Sequence, residues 1–129
     1  MNILLWVLQA LLAAAFIAHG VLFLSPPPQI AAQINAVLPR WFQLFVGVAE
    51  VLAAVGITLP GLTRIAPWLI AWAAVGIMIV TASATVFHLS RGELSSAATT
   101  LLLLTMATFV AYMRHRVMPI GVQRPALHS

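Results

Sequence analysis

Four apolar runs, at about residues 3–24, 41–59, 67–89 and 96–113, take up most of this 129-residue chain. Each is long enough to cross the hydrocarbon core of a bilayer as a helix, which needs about 20 apolar residues. A mean hydropathy of +1.08 and a charged fraction of 6% lie far from those of a soluble domain. The runs predict an all-α fold, an integral membrane four-helix bundle over residues 1–113, with no length left for a separate soluble domain.

The breaks between the runs carry their own signals. Ser25-Pro26-Pro27-Pro28 ends the first run, because proline cannot continue the helical hydrogen-bond ladder. In residues 29–38, Ile30, Ile34, Val37 and Leu38 fall on one side, with Gln29, Gln33 and Asn35 largely on the other. That pattern predicts a short interfacial helix between helices 1 and 2. Pro60-Gly61 is expected to stop the second run, Pro67 to open the third, and Ser90-Arg91-Gly92-Glu93 to form the last turn. The first run exceeds the apolar core of a secretory signal and lacks a basic segment before it, so it reads as a retained span. Residues 114–129 are basic and contain Pro119 and Pro125, which suggests an exposed, disordered tail.

All the basic residues are arginines, and they sit at helix ends without forming a basic face. Lipid head groups account for them better than nucleic acid does. With an even number of spans both termini share a side with Arg64, Arg114, Arg116 and Arg124, against Arg40 and Arg91 on the other. That asymmetry places the termini and the tail in the cytoplasm. The absence of cysteine excludes disulfides, thiolate metal sites and cysteine nucleophiles.

Close helix approach in lipid depends on small residues. Ala10, Ala14 and Ala18 form such a stripe in helix 1; Ala49, Ala53 and Gly56, and Gly47 with Ala54, do so in helix 2; Ala73, Gly76 and Ala84 do so in helix 3.

Glu50 is one of only two acids, and it lies mid-way along the second run. A carboxyl at that depth costs a few kcal/mol or more and is seldom left facing lipid. Arg40 is about 15 Å away along the same helix, too far to neutralise it directly. Gln43 shares the face of Glu50. In the third run Thr81, Thr85 and His88 recur at helical spacing, and Thr108 and Tyr112 do so in the fourth. Were these faces to converge with Gln9 and His19 of the first run, they would line a polar pocket between the helices. Glu50, His88 and Glu93 are then the candidate catalytic residues, and Gln9, His19, Gln43, Thr81, Thr85, Thr108 and Tyr112 the candidate ligand lining. Each has a plainer reading as well. Membrane threonines commonly bond their own i−4 carbonyl, His19 can sit idle at the interface, and Glu93 can cap a helix end or bridge Arg91.

Phosphate loops, H-E-x-x-H and G-x-S-x-G are absent. The histidines show no i, i+3 or i+4 pair within a membrane run, which argues against a di-iron or zinc site. A haem held by His19 and His88 is geometrically open but weakly signalled.

The ordered set Arg40, Gly47-Val-Ala-Glu50, Gly56-Ile-Thr-Leu-Pro60, Pro67-Trp-Leu, Ala73-Ala-Val-Gly76, Phe87-His88-Leu-Ser-Arg91-Gly92-Glu93 and Ala111-Tyr112-Met-Arg114 resembles the DoxX-like family of small membrane proteins. The resemblance implies a four-helix membrane bundle. The family takes its name from a subunit of quinol oxidase and thiosulfate:quinone oxidoreductase systems, and some related proteins are membrane chaperones or cargo receptors. By position, the polar residues that the resemblance carries over are Glu50, His88, Glu93 and, with them, Gly20 and Arg114. The chain departs from many members after Gly20, where Val-Leu-Phe-Leu stands in place of a stretch containing lysine.

Two functions compete. One is a membrane subunit or small enzyme that handles an apolar, quinone-like ligand around Glu50, alone, as a homo-oligomer or with a membrane redox partner. The other is a non-catalytic scaffold or chaperone for another membrane protein. A transporter is a third reading, disfavoured by the small number of spans and the lack of a broken mid-membrane helix.

Overall fold

The computed structural model describes residues 1–121, and among them every regular element is helical. In chain order these are α1 (Asn2–Leu24), α2 (Pro28–Val37), α3 (Arg40–Thr63), α4 (Leu69–Ser90) and α5 (Leu94–Tyr112), the last continued by a π-helical turn at Met113–Val117. Helices α1, α3, α4 and α5 with its π turn are each long and apolar enough to span a membrane. The short α2 joins α1 to α3, as its two-sided pattern predicts.

The spans pack α1 on α3, α3 on α4 and α4 on α5, with a lighter contact from α5 back to α1. Their shared core holds Leu5, Leu12 and Phe16 of α1, Ala54 and Ile57 of α3, Ile70, Ala74 and Ile77 of α4, and Ala107 and Val110 of α5. Lipid is as apolar as these side chains, so dispersion contacts and close backbone approach hold the helices together. Burial in α3 follows the stripe Gln43, Gly47, Glu50, Ala54 and Ile57, where the small residues were expected. In α1 it does not: Ala10, Ala14 and Ala18 face outward, and the buried stripe is Leu5, Gln9, Leu12, Ala13, Phe16 and Gly20. A polar glutamine and a glycine set that face, so an alanine count pointed to the wrong side of the helix.

Two expected boundaries move. Pro60 does not stop α3, which runs on to Thr63 and ends at Arg64 in the left-handed region (φ 55°). Gly61 also stays helical, and its lack of a side chain is used for packing. A Cβ there would come within 2.7 Å of Trp6 Cη2 and 2.9 Å of both Ile70 Cδ1 and Ile120 Cδ1. At the other end of the chain, the expected tail boundary at 113/114 falls inside the π turn, and Arg114 is only 5% exposed. The remainder of that tail, from residue 122 and including Arg124, lies outside the described residues.

The α4–α5 turn is closed as the sequence suggests. Gly92 adopts φ 71°, its N–H donates to the Leu89 carbonyl (3.1 Å), and the Glu93 N–H donates to the His88 carbonyl (2.9 Å). This double bond pattern terminates a helix through a left-handed glycine.

Candidate functional site

Gly20 and Gly47 set the geometry around Glu50. They face one another where α1 crosses α3: a Cβ on Gly20 would stand 2.9 Å from the Gly47 carbonyl oxygen, and one on Gly47 3.0 Å from that of Gly20. The backbones therefore approach as only glycine permits. Helical side chains lean toward their own N-terminus. His19, one turn from the end of α1, thus leans inward, while Glu50 leans back toward the end of the molecule where α3 begins. They meet with His19 Nδ1 2.7 Å from Glu50 Oε2, at hydrogen-bond distance.

The environments of the partners differ. Glu50 is 4% exposed, whereas the His19 side chain is 49% exposed and its ring lies 4.4 Å from that of Phe23. The pair thus reaches from the packed α1–α3 seam to the outer surface. With Nδ1 engaged, Nε2 is the ring nitrogen left for a ligand.

Arg40 secures the same end of the seam. Its Nη1 donates to the Phe23 carbonyl (2.8 Å) and its Nη2 to the Leu24 carbonyl (2.6 Å). These are last-turn carbonyls of α1, which lack intrahelical donors and carry the negative end of the helix dipole. Gln43 completes the clamp, donating through Nε2 to Asn35 Oδ1 and to the Leu38 carbonyl, each at 2.9 Å. It fastens α2 to α3 and does not turn toward Glu50.

A second cluster forms at the α4–α5 turn, on the same end of the molecule. His88 Nδ1 lies 3.0 Å from Glu93 Oε2, and Arg91 Nε donates to Glu93 Oε1 at 2.6 Å. The Arg91 bond first, and the His88 bond second, hold the Glu93 carboxyl below the ordinary glutamate range. Since the folded value is depressed, the contribution of this cluster is complete above the unfolded glutamate value and is lost as pH falls through the folded one. In a carboxyl-carbon NMR titration Arg91→Gln is expected to move the Glu93 midpoint upward; an unmoved midpoint would remove Arg91 as the cause.

Among the described residues no hydrogen bond joins the expected threonine stripes to Glu50. Thr81 donates to the Ile77 carbonyl, Thr85 to the Thr81 carbonyl and Thr108 to the Leu104 carbonyl, each at 2.7 Å. These are the local i−4 bonds of the plainer reading. Thr85 adds one bond between helices, to Thr100 Oγ1 at 2.8 Å. Tyr112 is 62% exposed on the outer surface. An open apolar groove on α3, lined by Trp41, Leu44, Phe45, Val48, Ala49 and Leu52, holds none of the expected site residues. Among the described residues no three His, Cys, Asp or Glu side chains gather as a metal site.

Gln9 belongs to a third cluster, at the end of the molecule where α1 begins and α5 ends. Its Nε2 donates to the Ile57 carbonyl (2.6 Å), and its Oε1 accepts from Arg114 Nε (2.8 Å). Sequence reasoning overlooked Arg114 as a buried group. The signal was there: Ala107, Val110 and Arg114 continue one helical stripe past the end of the apolar run.

Comparison with known proteins gives one family result: the model described as "DoxX-like family" matches residues 7–110. No curated protein and no solved structure matches the chain.

Proposed function

The chain belongs to the DoxX-like family and is a small multi-pass integral membrane protein, and from that premise we propose that it is a redox-associated membrane subunit whose His19–Glu50 pair handles a quinone-like ligand taken from the bilayer. The observation that carries this reading is the pair itself, one partner buried and the other half exposed.

The chemistry follows from counting protons. When the pair holds two, as imidazolium with carboxylate or imidazole with carboxylic acid, Nε2 bears hydrogen and donates to a carbonyl. When it holds one, on Nδ1, Nε2 has a lone pair and accepts from a hydroxyl. Passing one proton to a bound carbonyl as the ligand takes up two electrons, with a second proton reaching the far carbonyl from water, therefore converts the ring from the partner of a quinone to the partner of a quinol. The ligand would bring the redox chemistry, and a membrane redox partner would bring the electrons. His88 and Glu93 supply a polar station at the same end of the molecule, and the arginine asymmetry supports cytoplasmic termini, which a C-terminal reporter fusion can read.

Native mass spectrometry of detergent-purified protein, with a visible spectrum of the same sample, tests the reading. Wild type is expected to retain or take up a benzoquinone. His19→Phe keeps the ring but loses Nε2, and is expected to bind about tenfold less, the worth of one good hydrogen bond. If wild type stays empty in the presence of added quinone, the reading fails. A stoichiometric partner protein found by crosslinking in native membranes would then favour the scaffold.

A further inference from the structure

The end of the molecule opposite the His19–Glu50 pair contains a charge with no counter-charge among the described residues. Arg114 is 5% exposed and sits on the inner side of the π turn. Its Nε donates to Gln9 Oε1 (2.8 Å), and its Nη1 donates to Asn2 Oδ1 (2.8 Å) and to the Met118 carbonyl (3.1 Å). The guanidinium carbon lies 5.4 Å from the centre of the Trp6 ring. Its Nη2 is buried and, among the described residues, has no hydrogen-bond partner.

Every group that holds this guanidinium is neutral. The chain's two acidic side chains are both committed elsewhere: Glu50 to His19, and Glu93 to Arg91 and His88. Glu93 opens α5 and Arg114 follows its end, about 30 Å apart along the helix. A second copy of the chain packed side by side in the same orientation would bring no carboxylate side chain to this end. A buried cation with an open donor and no carboxylate beside it among the described residues is costly to keep.

We propose that Arg114 anchors a phosphate-binding site at the end of the molecule where α1 begins and α5 ends, with Nη2 donating to a phosphate oxygen. The level fits: Asn2, Trp6 and Gln9 place the guanidinium within about 10 Å of the start of α1, the depth at which head groups meet hydrocarbon and tryptophans anchor. The field fits as well, because Arg64 and Arg116 are exposed on the same end and no acidic side chain offsets them. Beside the site, Met118, whose carbonyl accepts from Nη1, begins the non-helical stretch Met118–Gly121. An anionic phospholipid head group and free phosphate share this chemistry.

Native mass spectrometry in detergent, with added phosphatidylglycerol, phosphatidylcholine or inorganic phosphate, tests the site. Wild type is expected to hold one equivalent of phosphatidylglycerol at least tenfold more tightly than the zwitterionic lipid, and Arg114→Gln to lose that preference. Arg116→Gln, which alters only an exposed charge, is expected to keep it. Displacement of the lipid by millimolar phosphate, or binding of phosphate alone, would assign the site to free oxyanions; retention against phosphate would assign it to the lipid. Equal retention of both lipids with no phosphate binding by wild type overturns the proposal, as would a preference that survives in Arg114→Gln. If Arg114→Gln does not fold, Arg114→Lys, which keeps the charge but loses the planar fork, is expected to show the same loss.

Discussion

His19→Leu is expected to destabilise the protein more than the double change His19→Leu/Glu50→Leu. The single change leaves a buried carboxyl about 15 Å from the start of α3 with its only observed partner removed. Breaking a buried pair from one side costs on the order of 3 kcal/mol, because the remaining group is left desolvated and unmatched. Removing both groups replaces the polar contact by apolar packing and is often neutral. Thermal unfolding in detergent micelles should therefore give the order wild type, double variant, single variant, from most to least stable. If the double variant loses as much as the two single changes added together, the side chains do not act as a pair. The proton-sharing role assigned to them would then fall.

Gly47→Ala is expected to have the second large effect, through one methyl group. The added Cβ would stand 2.9 Å from Leu24 Cγ and 3.0 Å from the Gly20 carbonyl oxygen, and the second of these is backbone. Relief requires α1 and α3 to move apart, at about 1–3 kcal/mol for overpacking of this kind. The same movement draws His19 away from Glu50, so loss of stability and loss of the Nδ1–Oε2 contact should appear together. The nitrogen chemical shifts of His19 would report the contact. Gly76→Ala is the control: a Cβ there meets nothing within 4 Å, and no loss of stability is expected. Equal effects at the two glycines would show that helix propensity, and not the crossing, controls the response.

These two expectations concern the same few residues, and they show where the sequence was legible. Spanning helices announce themselves by length and composition, and α1, α3, α4 and α5 follow the four apolar runs to within a few residues at most ends. Proline is a weaker guide near a helix end. Pro60 lacks an N–H, yet only one turn of α3 remains beyond it, so the helix absorbs the loss and continues to Thr63. The buried face of α3 could be read because small and polar residues coincide on it. That of α1 could not, because nearly every position in α1 is apolar and periodicity carries no direction.

The sequence by itself determined that this chain is a helical membrane protein, that Glu50 needs a partner, and that Gly92 closes the last turn. Each follows from a local cost: an apolar run in water, a carboxyl in hydrocarbon, a left-handed backbone. Which partner Glu50 takes was decided only in three dimensions, where the Gly20–Gly47 crossing brings His19 within 2.7 Å of it. The tertiary structure likewise separated Gln9 and Gln43 from Glu50, gave the first to Arg114 and the second to α2, and turned Tyr112 outward. Hydrogen bonds between helices depend on the rotation of each helix about its axis, and in an almost uniformly apolar chain that rotation is fixed by packing against neighbours.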